Sequence, residues 1–127
     1  MRLLLDTQAL LWALDTPERL GKARSVITDP GNEILFSAVN IWEIAIKFGL
    51  KRAAFTHSPE AILAGAIKTG FIELPVHSDV AARVASLPHH HRDPFDRLLV
   101  AQAMAERAFF YTADAQLEAY SDLVCLI

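Results

Sequence analysis

The sequence predicts an α/β domain, three layers deep, built around a central, mainly parallel sheet of about five strands. Three observations carry that expectation. Short apolar runs alternate with helix-length segments along the chain. The runs are apolar at successive positions, as strands buried on both faces require, and lack the polar alternation of a half-exposed sheet. A length of 127 residues suffices for one core but not for two ordinary ones, so residues 1–127 are read as a single domain.

RLLL at 2–5 is the first strand by length and composition, followed by EILFS at 33–37, FIELPV at 71–76, AFFYT at 108–112 and LVCLI at 123–127. Thr7 to Leu14 reads as the first helix. Pro17 to Thr28 reads as the second, with Leu20, Ala23, Val26 and Ile27 on one face and Asp29-Pro30-Gly31 closing it. Val39 to Phe48 forms a third. Pro59 to Lys68 has Ser58 as its N-cap and Gly70 beyond its end. Ser78 to Leu87 stops at Pro88. In DPFDRLLVAQAMAERA, Asp93 is a natural N-cap and Pro94 a natural first residue, with Phe95, Leu98, Leu99, Gln102 and Ala105 marking successive turns. No repeat or low-complexity tract interrupts this order.

Composition narrows the classes. Apolar residues make up 53% and the mean hydropathy is +0.27, high enough to suggest apolar surface covered by a partner. No apolar run approaches the roughly 18 residues of a membrane span, and the start lacks the pattern of a secretory signal, so a cytoplasmic protein is expected. The single cysteine, Cys125, excludes an internal disulfide framework and a cysteine-based zinc site; in LVCLI it reads as a buried thiol. The formal net charge of −3 argues against a nucleic-acid partner if spread evenly. Gathering four carboxylates around divalent cations would leave the remainder slightly basic, so location matters more than the sum.

Sheets of this kind place ligands beyond the carboxyl ends of their strands. Asp6 lies there, in LLLDTQALLW, where an aspartate also serves as an ordinary N-cap. Glu43, in AVNIWEIAIKFG, falls with Asn40 and Lys47 opposite an apolar face of Ile41, Ile44, Ala45 and Phe48; its ordinary role would be an i,i+4 pair with Lys47. Asp96 occupies the first turn of a helix that Asp93 already caps, one aspartate more than capping needs. Asp114 follows AFFYT as Asp6 follows RLLL, so both should emerge on one sheet edge. Four carboxylates converging on one crevice must protonate or bind cations. All-oxygen ligation suits Mg²⁺ or Mn²⁺, not zinc, and points to phosphodiester hydrolysis.

With those residues in view, LLLDTQALLW, SAVNIWEIAIK, HHHRDPFDRLLVAQA and YTAD together resemble the successive motifs of PIN-domain ribonucleases, and more narrowly VapC-type toxins of bacterial toxin–antitoxin pairs. The resemblance implies a PIN-like α/β/α fold with Asp6, Glu43, Asp96 and Asp114 as the catalytic, metal-holding set. It implies Mg²⁺- or Mn²⁺-dependent endonucleolytic cleavage of RNA, homodimers, and inhibition by a cognate antitoxin. Asn40 stands where this family often has serine. Asp93 matches an H-R-D-P-F-D-R pattern of one branch, but the LLVAQA spacing selects Asp96 as the ligand and leaves Asp93 as the cap.

Softer signals surround this set. Thr7 and Thr112 flank two of the carboxylates and are placed to hydrogen-bond a carboxylate or a metal water, or simply to cap and pack. Lys47, Arg92 and Arg97, with Lys51 and Arg52, are candidates for RNA phosphates, and Arg97 and Lys47 for balancing the acidic cluster. His89-His90-His91 is read as a solvated loop, since three consecutive histidines do not share a face. Trp12, Trp42, Phe48, Phe55 and Met104 read as core, with room for an antitoxin helix in a groove that some of them line. Three rivals stand beside the metallonuclease. A metal-free ribonuclease would need a histidine pair that no spacing supplies. A haloacid-dehalogenase-like phosphatase would need an acidic residue where Gln8 stands. A non-catalytic RNA- or protein-binding module of the same fold would have no use for four mutually repelling carboxylates.

Overall fold

The computed structural model describes residues 1–127. Five strands, β1 (Arg2–Leu5), β2 (Glu33–Ser37), β3 (Ile72–Leu74), β4 (Phe109–Thr112) and β5 (Val124–Leu126), form one sheet in the order β3-β2-β1-β4-β5. Every pairing is parallel, so the sheet is wholly and not just mainly parallel. The helices are α1 (Thr7–Asp15), α2 (Ala23–Ile27), α3 (Ala38–Gly49), α4 (Pro59–Thr69), α5 (Ser78–Arg83) and α6 (Pro94–Glu106).

Strand alternation divides the core in two. Leu3, Leu5, Ile34 and Phe36 point to one face and pack with residues of α1, α2, α3 and α4. Leu4, Leu35 and Phe110 point to the other and pack mainly with Leu99, Val100 and Ala103 of α6. Because both faces are covered, successive strand residues are all apolar, and the three layers follow. The chain runs from β1 outward through β2 to β3, then returns to β4 on the other side of β1. The carboxyl ends of β1 and β4 therefore flank the point where strand order reverses, the position at which open parallel sheets leave a crevice.

Several expectations change in detail. The helix expected over Pro17 to Thr28 is broken into a 3₁₀ turn, Pro17–Leu20, and α2. Gly21, at φ +56° and ψ −128°, takes a positive-φ backbone that glycine adopts without steric cost, and it ends the first piece. FIELPV pairs only over Ile72–Leu74, and Pro75 has no N–H with which to continue the ladder. The helix expected over Ser78 to Leu87 tightens to 3₁₀ geometry at Val84–Ser86. Three residues expected in the core are on the surface: Trp42 is 59% exposed, Met104 42% and Phe48 39%. Trp42 rests edge-on against Phe95. Cys125 is half-buried. No helix is long and apolar enough to cross a membrane.

Candidate active site

The crevice beyond β1 and β4 has a volume of about 470 Å³, and Asp6, Glu43, Asp93, Asp96 and Asp114 all line it. Each is delivered by a local rule. Asp6 leaves β1 and caps α1, its Oδ1 accepting the Ala9 N–H at 2.7 Å. Thr112, the last residue of β4, donates its hydroxyl to Asp6 Oδ2 at 2.5 Å. Both oxygens of Asp6 are thus held by the protein while its carboxyl still borders the crevice. Asp114, two residues past β4, caps a 3₁₀ turn through Oδ1 and the Gln116 N–H. Its own N–H donates to the Thr112 hydroxyl, so Thr112 ties Asp6 to the Asp114 turn.

Glu43 arrives on α3 and lines the crevice, as the convergence of the four carboxylates requires. Asn40 and Glu43 face inward and are buried, whereas Phe48 of the expected apolar face is exposed. The polar side of α3 is turned toward the crevice because it has partners there. Thr7 donates to Glu43 Oε1 at 2.5 Å, and Asn40 Nδ2 donates to the Thr7 hydroxyl at 3.1 Å and to the Leu5 carbonyl at 3.3 Å. Asn40 Oδ1 accepts the Ser37 N–H, closing a capping box that starts α3. Lys47 Nζ pairs with Glu43 Oε2, the i,i+4 pair read from the sequence, and lies over the Phe55 ring.

Asp93 caps α6, accepting the N–H groups of Phe95 and Asp96 on Oδ1. Asp96, in that first turn, has a carboxylate to which no protein group donates within hydrogen-bond distance; His91 Nε2 lies 3.9 Å from its Oδ2. Burial raises the Asp96 carboxyl from the ordinary 3.8 to about 7, helped by the charges of Asp93, Asp6 and Glu43. Burial likewise raises Asp6 to about 6, against the hydrogen bonds from Thr112 and Ala9 that pull it down. Both carboxyls therefore hold their protons well above the ordinary carboxylate range, and a bound cation would favour their ionised forms.

Two further residues depart from expectation. His91 does not lie in free solvent: its side chain is 14% exposed and its Nε2 lies 2.7 Å from Asp114 Oδ2. His91, Asp96 and Asp114 offer ligand atoms all within 4.8 Å of one another, so the tightest potential metal cluster contains a histidine the sequence placed outside. The signal was weak because the loop from Pro88 to Arg92 carries no periodicity. Its position is fixed by Tyr120, whose hydroxyl oxygen accepts the N–H groups of His90 and His91. Arg97, a candidate for RNA phosphates and for balancing the acidic cluster, does not line the crevice. It is buried and donates to the Tyr120 hydroxyl at 3.0 Å and to the carbonyls of Val84, Leu87 and Pro88. Arg92 is exposed, as are Lys51 and Arg52.

The donor set fits a hard divalent cation: oxygen atoms from four acidic residues in a polar, water-accessible crevice, one of them without a partner. A profile of the PIN-domain family matches residues 3–123. A comparison with curated protein sequences returned no significant match. Among solved structures, the chain is similar to one in a VapBC2 complex from Rickettsia felis bound to a promoter DNA fragment, at 15% identity and a TM-score of 0.69, covering 100% of this chain and 98% of that one. It is similar to one in a DNA-bound VapBC complex from Salmonella typhimurium, at 14% identity and a TM-score of 0.68, with 100% and 97% covered. A chain of the FitAcB structure from Neisseria gonorrhoeae follows at 18% identity and a TM-score of 0.60, with 98% and 96% covered.

Proposed function

This chain belongs to the PIN-domain family, and on that premise we propose that it is a Mg²⁺- or Mn²⁺-dependent endoribonuclease, the toxin of a VapC-type toxin–antitoxin pair. The observation that carries the reading is the Asp96 carboxylate, left without a hydrogen-bond donor among the acidic side chains of Asp6, Glu43 and Asp93. A protein does not keep such a group at a crevice for stability; a bound cation removes the penalty and turns the repulsion into ligation.

Asp6, Glu43, Asp96 and Asp114 would hold the cation. Bound there, Mg²⁺ or Mn²⁺ supplies positive charge to a phosphodiester oxygen and lowers the pKa of a coordinated water. The chain's own residues supply the order. Thr112 and the Ala9 N–H fix the Asp6 carboxylate, and Thr7, itself oriented by Asn40, fixes Glu43. Asp93 fixes the start of α6 and with it the backbone of Asp96. Lys47 and Arg92 are placed at the crevice and beside it to take RNA phosphates. A cognate antitoxin as partner is supported by the neighbours, which are solved as VapBC and FitAcB assemblies. The exposed Trp42, Ile46, Phe48 and Met104 are available apolar surface for that partner or for a homodimer, and a cytoplasmic location fits RNA as substrate.

The test incubates purified, antitoxin-free chain with bulk cellular RNA and Mg²⁺ or Mn²⁺, with and without EDTA, beside Asp96→Asn. Cleavage that is lost in both controls is expected. Cleavage that survives EDTA overturns the metal-dependent reading. A folded wild type that neither cuts RNA nor binds Mn²⁺ replaces it with a non-catalytic binding module.

A further inference from the structure

His91 sits close enough to Asp96 and Asp114 to look like a third metal ligand, yet its other ring nitrogen argues against that role. The Asp93 backbone N–H donates to His91 Nδ1 at 3.0 Å. A backbone amide cannot become an acceptor, so Nδ1 must present its lone pair. In a neutral imidazole the proton then resides on Nε2. That nitrogen lies 2.7 Å from Asp114 Oδ2 and donates to it. A metal at Nε2 would need a lone pair that this tautomer does not have, and moving the proton to Nδ1 would set two donors against each other. The usual arrangement, in which a ligating histidine gives its second N–H to an acceptor, is reversed here.

We infer that His91 is a positioning residue for Asp114, an Nε2–H donor that orients this carboxylate toward the cation and does not bind the cation itself. The loop is built to hold it so. Tyr120, buried and anchored by Arg97, receives the N–H groups of His90 and His91, and the Asp93 amide grips the ring. Asp114 Oδ1 is taken by the Gln116 N–H and Oδ2 by His91. Each oxygen retains a further lone pair, and the carboxylate cannot rotate without losing one of the two bonds. The cap of α6 and the orientation of Asp114 are in this way joined through a single ring, Asp93 to His91 to Asp114.

This inference rests on the proposed metal site, and its test separates the two. Mn²⁺ is titrated calorimetrically into wild type, His91→Ala and His91→Gln, with folding of each checked by circular dichroism. The wild-type Mn²⁺ complex is examined by electron spin-echo spectroscopy for directly bound nitrogen. Expected are no coupling from a ligated ¹⁴N in the wild type, a loss of affinity of about 10–100-fold in His91→Ala, and substantial recovery in His91→Gln, whose amide N–H replaces the Nε2 donor. A ligated-nitrogen signal in the wild type overturns the positioning role in favour of ligation. Unchanged affinity in a folded His91→Ala overturns it in favour of a bystander, and a His91→Gln no better than His91→Ala overturns the donor assignment. If the wild type binds no Mn²⁺ at all, the metal site falls and the inference with it.

Discussion

Asp6 and Glu43, on the β1 and α3 side of the crevice, are buried to 6% and 5% exposure, and all four of their oxygens are engaged by the protein. Asp96 and Asp114, on the α6 and β4 side, have side chains 18% and 38% exposed, and Asp96 receives no donor. Asp114 is held at both oxygens, by the Gln116 N–H and by His91, so the fold sets three of the four carboxylates and leaves Asp96 for something to complete. The difference teaches which carboxylates serve structure and chemistry together, namely Asp6, Glu43 and Asp114, and which serves chemistry alone, namely Asp96. Substituting one carboxylate of each kind is the most direct way to break the comparison. Asp6→Asn and Asp96→Asn should each reduce RNA cleavage by on the order of a thousandfold, the scale expected when a preorganised charge at the reacting centre is removed. Single-turnover assays at saturating Mn²⁺ check this, and a variant retaining a tenth of the wild-type rate would remove that residue from the metal-holding set.

Arg97 and Arg92 extend the comparison from anions to cations. Arg97→Met leaves the Tyr120 hydroxyl and three carbonyls without their shared donor, and should cost about 2–4 kcal/mol in chemical denaturation. The His91 loop, held through Tyr120, should loosen with it. Arg92→Ala, at an exposed position, should change stability by no more than about 0.5 kcal/mol and instead weaken RNA binding and its salt dependence. Equal effects on stability would show that the Arg97 network is not what fixes the loop.

These two arginines mark the limit of what the sequence discloses. All five strands, the parallel sheet and the meeting of four carboxylates at one crevice were legible, because strand composition, capping chemistry and position relative to strand ends are local properties. The roles of Arg97 and His91 depend on Tyr120, more than twenty residues away in sequence, and no periodicity connects them. Gln102 shows the same limit. It reads as one more position on a helix face, yet it is buried, accepts the Ser37 hydroxyl and donates to the Pro75 carbonyl, fastening α6 to β2. Nor did the pattern of α3 reveal what holds its polar side inward. The ordinary role of Glu43 read as an i,i+4 pair with Lys47, whereas the partners that hold Asn40 and Glu43 inward come from α1, namely Thr7, and from the end of β1.

Stability against pH offers a smaller but sign-specific test. The carboxyls of Asp6 and Asp96 are raised from 3.8 to about 6 and about 7, so the folded metal-free chain holds protons that the unfolded chain releases. Their contribution is fully present below about pH 4 and is lost as pH rises through about 6 and 7. The metal-free protein should therefore lose stability on going from pH 5 to pH 8, and Mn²⁺ should restore more of it at pH 8 than at pH 5. Asp96→Asn, neutral at every pH, should gain about 1–3 kcal/mol over the metal-free wild type at pH 8 and respond less to Mn²⁺. Thermal melts at the two pH values check both. An Asp96→Asn that is destabilised at pH 8 would mean that its carboxylate has a partner in solution.

The smallest expected effect concerns Lys47, the one cation paired with the site. Its ammonium holds Glu43 Oε2 and so competes with a divalent ion for that oxygen, yet it also lies where an RNA phosphate would approach. Lys47→Met keeps an apolar side chain of similar length and removes the charge, with the ammonium's contact over the Phe55 ring. Taking one unit charge from a partly solvated position a few ångströms from the metal is worth about 1 kcal/mol. Mn²⁺ should therefore bind roughly fivefold more tightly to Lys47→Met, while the KM for RNA rises by a similar factor and kcat changes little. Opposite movement of the two constants is what identifies a residue that serves substrate at the metal's expense. If both weaken together, Lys47 holds Glu43 in place for the metal, and the β1 and α3 half of the site depends on its cation as closely as on its hydroxyls.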